Sequence, residues 1–234
     1  MNALLTVDNI HTFIGQFHIL EGVSVTVPVG GITALLGRNG AGKTTTLRSI
    51  MGLNAPTQGT IHYQGAPIYG LRAYDIARRG IGFVPDYRAI FRQLTVEENL
   101  KLAERQKGDL AKRRDFILDL FPDLQRLYHW PGGQLSGGQQ QMLAIARALV
   151  PDNQLLLIDE PSEGLAPVLI ESMMAAIRQL SGQVAVLLVE QNFRVASHLA
   201  EAYVIIENGQ SVHSGKMAEL VKDPALIQRY LGAT

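Results

Sequence analysis

The chain has 234 residues, the length of one domain or of one domain with an insertion. It carries 21 Lys+Arg and 21 Asp+Glu, and the resulting net charge of zero argues against a broad nucleic-acid-binding face. The absence of cysteine excludes disulfide frameworks and thiolate metal sites. The apolar runs are all shorter than the roughly 18 residues that a membrane span needs.

The predicted elements of the first half begin with strands. Residues 23–27 alternate between apolar and polar and predict an antiparallel strand, whereas the continuous apolar run at 32–36 predicts a strand buried on both faces. A glycine-rich turn then leads into a predicted helix at 43–51. Residues 60–63 and 81–84 predict two further short strands.

The second half begins with helical sequence. Thr95 and Glu98 form a capping-box pair, and the helical pattern continues to about residue 127. The later predicted elements are a helix at 139–150, a buried strand at 155–158, a helix from Pro167, a buried strand at 184–189, two closing strands at 203–206 and 211–213, and two short helices. The pattern as a whole predicts an α/β fold with a helical insertion near residues 87–150.

The first chemical motif is a glycine-rich loop between a buried strand and a helix. It matches G-x-x-x-x-G-K-[ST], and its members are Gly37, Arg38, Asn39, Gly40, Ala41, Gly42, Lys43 and Thr44. The glycines let backbone N–H groups surround phosphate oxygens, and the helix that follows adds the positive end of its dipole. We expect Lys43 to bring a positive charge to the outer phosphates and Thr44 to offer a hydroxyl to Mg²⁺. We call residues 37–44 the phosphate loop.

The second motif is a pair of carboxylates at the end of the strand predicted at 155–158. In open α/β sheets ligands bind at the carboxyl ends of the strands, so Asp159 and Glu160 are expected to emerge beside the phosphate loop. Asp159 is predicted to hold Mg²⁺ directly or through water. Glu160 is predicted to polarise the attacking water as a general base.

The third motif is the segment Leu-Ser-Gly-Gly-Gln at residues 135–139, which we call the signature segment. Its polar members Ser136, Gly137, Gly138 and Gln139 precede a helix, so by mechanism alone they form either an ordinary N-cap or a second anion site. Lying between a phosphate loop and the strand that ends in Asp159 and Glu160, this segment makes the whole chain resemble the ATP-binding cassette (ABC) ATPases.

The resemblance implies a P-loop fold with a RecA-like parallel-sheet core, an antiparallel β subdomain and a helical subdomain. Residues 1–234 would be one domain, in which 87–150 are the helical subdomain and 1–86 with 151–234 the remainder. It implies ATP and Mg²⁺ as ligands and adds Thr45 to the phosphate-binding set. It also implies that two cassettes pair head to tail, so that the signature segment of one closes over the γ-phosphate held by the other.

A finer resemblance is to the ATPases of branched-chain amino acid importers, and urea importer ATPases share most of its motifs. The matching segments are residues 36–45, 94–100, 140–145, 161–167, 189–192 and 230–232. This resemblance implies a peripheral protein on the cytoplasmic face of the inner membrane. Its partners would be transmembrane permease subunits, a second ATPase that is either a copy or a relative, and indirectly a solute-binding protein, without nucleic acid.

Two positions differ from the broad family in the groups that meet the γ-phosphate and Mg²⁺. Asp86 stands where the family usually has a glutamine; it keeps an oxygen ligand for Mg²⁺ but adds a charge. Gln191 stands at the usual switch histidine, where it can donate a hydrogen bond to the γ-phosphate but cannot carry a proton. Both residues fit the importer subfamily, and Glu160 is therefore assigned as the base.

A third difference concerns adenine. The aromatic residue that usually stacks on the base is replaced by Ile14, which leaves Phe13 or Phe17 as substitutes, unless both phenylalanines belong to the core. Two other functions remain open alternatives. One is a superfamily ATPase that acts on DNA or the ribosome, although the chain lacks the long insertion, zinc cysteines or second cassette of that class. The other is a nucleotide-dependent regulator without a membrane partner.

Overall fold

Strands and helices alternate along most of the chain. The computed structural model describes residues 3–232, and Met1, Asn2, Ala233 and Thr234 lie outside the described residues. In chain order the elements are β1 (Ala3–Ile14), β2 (Phe17–Pro28), β3 (Ile32–Leu36), α1 (Lys43–Ile50), β4 (Gln58–Tyr63), β5 (Ala66–Pro67), α2 (Ala73–Arg78), β6 (Ile81–Val84), α3 (Val96–Lys101), α4 (Asp109–Leu120), α5 (Pro122–Arg126), α6 (Gly137–Leu149), β7 (Leu155–Asp159), α7 (Pro167–Leu180), β8 (Ala185–Val189), α8 (Phe193–Leu199), β9 (Ala202–Glu207), β10 (Gln210–Lys216), α9 (Met217–Leu220) and α10 (Pro224–Leu231).

The strands form two sheets. The larger has six strands in the order β10-β9-β3-β8-β7-β6, in which β9, β3, β8, β7 and β6 run parallel and β10 is antiparallel to β9. The smaller is antiparallel, in the order β2-β1-β4-β5. The α/β fold class predicted from the sequence is confirmed.

The six-stranded sheet is buried on both faces, which is why its central strands are continuous apolar runs. Side chains of a strand alternate between faces, and in β7 Leu156 and Ile158 pack into one hydrophobic cluster while Leu155 and Leu157 pack into another. The first cluster continues into α3–α8, and the second lies between the sheet, α1 and the smaller sheet. The two clusters hold the carboxyl ends of β3, β7 and β8 side by side.

The helical region differs from its prediction in one respect. The helical pattern expected from Thr95 to about residue 127 is divided into α3, α4 and α5. Gly108, in the left-handed conformation at φ +94°, is the N-cap of α4, and Pro122 begins α5. Glycine and proline end helices locally even where the apolar spacing continues. No helix within residues 3–232 is long and apolar enough to cross a membrane.

Candidate functional site

The phosphate loop joins the end of β3 to the start of α1. Gly42, the residue before the helix, has φ +109°, and a Cβ there would lie 2.7 Å from the Leu20 side chain. A Cβ on Gly37 would lie 2.3 Å from the carbonyl oxygen of Ile206 in the neighbouring β9. The loop therefore requires glycine at both positions, because of the backbone conformation at Gly42 and the close approach of β9 at Gly37.

Lys43 is the first residue of α1 and is only 4% exposed. Its Nζ donates to the carbonyl oxygens of Gly37 (3.0 Å) and Arg38 (3.2 Å), which curls the loop around the ammonium group. The same Nζ lies 3.1 Å from Glu160 Oε1. Lys43, predicted to act on the phosphates, therefore meets Glu160, predicted to polarise the attacking water, since β3 and β7 both end at this edge of the sheet.

Asp159 ends β7 and is fully buried. Thr44 Oγ1 donates to Asp159 Oδ1 at 3.2 Å, while Oδ2 is buried and has no hydrogen-bond partner among residues 3–232. Burial raises the pKa of Asp159 to about 6, against the lowering effect of the Thr44 hydrogen bond. An unpartnered carboxylate oxygen beside a hydroxyl is the kind of oxygen donor set that Mg²⁺ prefers, so these residues fit the ion that the sequence implies.

Asp86 follows β6, the strand next to β7, and its side chain is exposed. Asp86 Oδ1 accepts a hydrogen bond from the N–H of Tyr87 at 2.9 Å. Its negative charge also contributes to raising the pKa of Asp159, so the two carboxylates repel one another. The structure thus brings Asp86 to the edge where Thr44 and Asp159 meet.

The end of β8 lies beside that of β7, with Val189 paired to Asp159. Gln191 is exposed two residues beyond β8. It lines a cleft of about 270 Å³ together with Glu160, Ser162 and Glu190. The predicted base and the predicted switch residue therefore share one opening.

A second cleft, of about 370 Å³, lies over the phosphate loop. Its lining residues are Ile14, Ile19, Asn39, Gly40, Gly42, Lys43, Thr44, Thr45 and Glu160. Neither phenylalanine proposed for adenine lines it: Phe13 stacks on His18 with ring centroids 4.2 Å apart, and Phe17 is 65% exposed. Both phenylalanines are exposed, so the alternative that they belong to the core is wrong. The residues of β1 and β2 that line this cleft are the aliphatic Ile14 and Ile19.

The signature segment lies at the start of α6. Ser136 Oγ accepts from the N–H of Gln139 at 3.3 Å, and Gln139 Oε1 accepts from the N–H of Ser136 at 3.0 Å, which is a complete capping box. Ser136 and Gly137 are exposed, and no signature residue lines the cleft over the phosphate loop of the same chain. Within residues 3–232 the signature segment is therefore separate from the residues that meet at the strand ends.

Sequence reasoning gave no role to Glu190, which is 1% exposed and precedes Gln191. Its carboxylate accepts hydrogen bonds from Ser162 and from the N–H of Asn192. The available signal was a carboxylate directly after a buried strand, the pattern that had singled out Glu160. Burial raises the pKa of Glu190 to about 7, although three hydrogen bonds act in the opposite direction.

A phosphate loop beside a buried strand that ends in two carboxylates defines a P-loop nucleotide hydrolase. The family model described as ABC transporter matches residues 20–163. The chain therefore belongs to the ABC transporter family, as an ATPase of that family.

Two relatives cover almost the same length. The chain is 42% identical over 232 residues to the high-affinity branched-chain amino acid transport ATP-binding protein BraG of Pseudomonas aeruginosa, covering 98% of this chain and 100% of the relative. It is 36% identical over 211 residues to the probable branched-chain amino acid transport ATP-binding protein LivF of Archaeoglobus fulgidus, covering 88% of this chain and 89% of the relative.

Two solved structures have folds similar to that of this chain. One is an ATP-binding cassette of an ABC transporter in its ADP conformation, with a TM-score of 0.86 over 100% of both chains; its 24% identity shows the fold alone. The other is a cassette in a dimeric post-hydrolysis state with ADP and Pi, with a TM-score of 0.79 and 26% identity over 91% of this chain and 98% of that one.

Proposed function

We propose that this chain binds Mg–ATP and hydrolyses it to drive an importer of branched-chain amino acids. The observation that carries the proposal is the meeting of Lys43 and Thr44 with Glu160 and Asp159 at one sheet edge, at 3.1 Å and 3.2 Å. The similarity to BraG and LivF supports the choice of solute. A urea importer ATPase is the alternative, because urea importers share most of the same motifs.

Binding of ATP is assigned to the phosphate loop with Thr45. A phosphate group that enters the loop competes with Glu160 and two backbone carbonyls for the Lys43 ammonium, which is already in place and nearly enclosed. Thr44, Asp159 and Asp86 would hold Mg²⁺, which neutralises charge on the β- and γ-phosphates when bound. Ile14 and Ile19 offer adenine an aliphatic surface in place of an aromatic one.

Hydrolysis is assigned to Glu160 with Gln191. Glu160 accepts a proton from the attacking water, and its position next to the phosphate loop keeps that water near the γ-phosphate. Gln191 donates a hydrogen bond to the γ-phosphate from the other side of the cleft that both residues line. Most of the rate acceleration comes from positioning and from the charge of Lys43, as in other phosphoryl transfers.

The signature segment is assigned to the ATP of a second cassette. Ser136 and Gly137 are exposed at a helix N-terminus, where backbone N–H groups favour an anion. A head-to-tail pair places this helix end against the partner's γ-phosphate. The second cassette is a copy of this chain or a related ATPase, and permease subunits, with a solute-binding protein beyond them, complete an assembly whose ATPases lie at the cytoplasmic face of the inner membrane.

Glu160→Gln tests the assignment of the base. The amide keeps the size of the side chain but accepts no proton, so we expect ATP binding to persist, turnover to disappear and an ATP-bound dimer to accumulate. ATP affinity by calorimetry, phosphate release and light scattering measure the three effects. Glu171→Gln, which makes the same change at an exposed position of α7, is the matched control. Normal phosphate release from Glu160→Gln would contradict the role given to Glu160.

Dependence of the ATPase rate on protein concentration tests the composite site. If each site needs two cassettes, the specific activity must fall on dilution below the dimer dissociation constant. A constant specific activity down to nanomolar protein, with only monomer in solution, would show that one chain is sufficient.

Uptake of leucine and of urea by vesicles with the complete transporter distinguishes the two solutes.

A further inference from the structure

A buried carboxylate joins the two loops that carry Glu160 and Gln191. Glu190 Oε1 accepts from the N–H of Ser162 at 3.2 Å, and Oε2 accepts from Ser162 Oγ at 3.0 Å and from the N–H of Asn192 at 3.3 Å. Ser162 lies two residues after Glu160, in the segment 161–166. By its resemblance to the ABC ATPases this segment is expected to meet the second cassette, and we call it the dimer-contact loop. One side chain therefore connects the segment after β7 to the segment after β8.

The backbone of Glu190 adds a third attachment. Its N–H donates to the carbonyl of Leu35 at 3.4 Å, near the end of β3 and two residues before the phosphate loop. Glu190 thus touches the carboxyl ends of three neighbouring strands. Glu190 and Ser162 are 1% and 8% exposed, and burying a carboxylate is costly unless hydrogen bonds compensate it. A leucine would fill the same space at lower cost, so the packing alone does not explain a carboxylate here.

The backbone next to this pair is strained. Glu160 has φ +42°, a left-handed conformation that a residue with a side chain adopts only when its surroundings hold it. Two backbone bonds hold it, from its own N–H to Val189 (2.9 Å) and from the N–H of Glu163 to its carbonyl (3.1 Å). The ion pair with Lys43 and the anchoring of Ser162 by Glu190 add to them. Removing the contact between Glu190 and Ser162 takes away one of the restraints on the turn that carries Glu160.

We propose that Glu190 is a positioning residue, which sets the geometry of Glu160 and Gln191 and transmits movement of the dimer-contact loop to both. The inference rests on the roles proposed for Glu160 and Gln191. Glu190 does not meet ATP in this proposal and acts through Ser162 and Asn192. Closure of a second cassette on residues 161–166 would then align the base and the switch residue in one step, so that turnover depends on pairing more steeply than ATP binding does.

Glu190→Gln is the informative substitution, because an amide cannot replace this pattern of acceptors. If the amide oxygen takes the Oε1 position, the amide NH₂ takes the Oε2 position and faces the N–H of Asn192. If the amide is flipped, its NH₂ faces the N–H of Ser162 instead. One backbone donor loses its partner in either case. We expect kcat for ATP hydrolysis to fall about tenfold, while the affinity for ATP changes less than about twofold.

Ser162→Ala removes only the hydroxyl and keeps the backbone bond. We expect a fall in kcat of about threefold, and Ser162→Thr, which retains the hydroxyl, restores the rate. In the double variant the two effects must be clearly less than multiplicative, because both act on the same contact. These variants also keep the inference testable if Glu190→Gln folds poorly.

Thr12→Val is the matched control. Thr12 and Ser49 form a buried pair of hydroxyl groups, with oxygens 3.0 Å apart and both residues at most 2% exposed, and neither residue lines the two clefts at the strand ends. This variant should lower the thermal midpoint without changing kcat. An equal loss of ATP affinity and kcat in Glu190→Gln, or multiplicative effects in the double variant, would reduce Glu190 to an ordinary core contact and overturn the inference.

Glu160→Gln separates the two levels of the proposal. If that variant is inactive while Glu190→Gln and Ser162→Ala both turn over normally, the proposed base stands and the positioning role is wrong. If Glu160→Gln remains active, the proposed mechanism itself fails, whatever the Glu190 variants do.

Discussion

The phosphate loop and the signature segment are both glycine-rich turns that lead into a helix, but their polar groups are satisfied differently. At the phosphate loop, Lys43 and Thr44 contact buried or nearly buried carboxylates from a distant part of the chain. At the signature segment, Ser136 and Gln139 satisfy one another within one helical turn.

This difference explains why the phosphate loop is surrounded by most of the groups that we propose for one site, whereas the signature segment supplies only part of a site. The strand ends of the six-stranded sheet bring the cation, the hydroxyl and two carboxylates together from two segments, so one chain supplies most of the groups that we propose for binding phosphate and metal. The signature helix begins at the exposed Ser136 and Gly137, and among the residues that the structure describes no member of the signature segment lines the cleft over the phosphate loop. A ligand for it must come on another molecule, which is the physical basis for the proposed head-to-tail pair.

Lys43→Ala should have the largest effect, on the affinity of the free chain for ATP. The ammonium is nearly buried, so its charge is weakly screened and its loss is not replaced by water. We expect ATP binding to weaken roughly a thousandfold, or about 4 kcal/mol. Calorimetry on the isolated chain measures it.

Arg48→Ala is the control for Lys43→Ala. Arg48 lies in the same helix and carries the same charge, but it is exposed in the last turn. Its loss should leave ATP affinity within about a factor of two, because an exposed charge in water contributes little. A loss of ATP affinity as large as that of Lys43→Ala would mean that the whole helix, rather than the enclosed ammonium, sets the affinity.

The stability of the strand-end region should depend on pH through Glu190, and the signature segment contains no comparable group. Burial raises the pKa of Glu190 from the ordinary 4.5 to about 7, so the folded chain holds this proton more tightly than the unfolded one. The resulting stabilisation is complete below about pH 4.5 and is lost as the pH rises through about 7. Across that window the wild-type chain should lose about 3 kcal/mol relative to Glu190→Gln.

Urea denaturation at several pH values, without nucleotide, measures this loss. Burial also raises the pKa of Asp159, to about 6, but both proteins keep Asp159, so its contribution largely cancels in the comparison. Glu163→Gln is the control, because it removes an exposed carboxylate from the dimer-contact loop, which Glu190 contacts through Ser162. A difference between wild type and Glu190→Gln that stays constant from pH 4.5 to 7 would contradict the assignment.

The parts of the fold that the sequence predicts are those governed by local pattern. Continuous apolar runs identify β3, β7 and β8 because those strands are buried on both faces, and the loop at 37–44 is recognisable because its glycines are required by close backbone contacts. The division between residues 96 and 126 was missed because Gly108 interrupts a helical pattern whose apolar spacing continues. β1 was not predicted as a strand, and its register shifts against β2 obscure the alternation.

The parts of the site that the sequence does not predict depend on contacts between segments. The one local signal for Glu190 is that it directly follows a buried strand. The role proposed for it depends on Ser162, which lies beside it only because β7 and β8 are neighbours. The expectation that Phe13 or Phe17 faces the nucleotide rests on proximity along the chain, whereas the structure places Ile14 and Ile19 at the cleft. The roles of individual site residues stay predictions until variants are measured.

Ser136→Glu should have the smallest of the three effects and tests the signature side alone. A carboxylate at the exposed start of α6 repels a phosphate brought by a second cassette, but it is remote from the cleft over the chain's own phosphate loop. We expect unchanged ATP affinity of the free chain and turnover lower by about tenfold, or about 1.4 kcal/mol. Ser172→Glu, on the exposed face of α7, makes the same change as a control and should keep full turnover. If Ser136→Glu weakens ATP binding by the free chain, the signature segment serves its own phosphate loop and the contrast between the two regions fails.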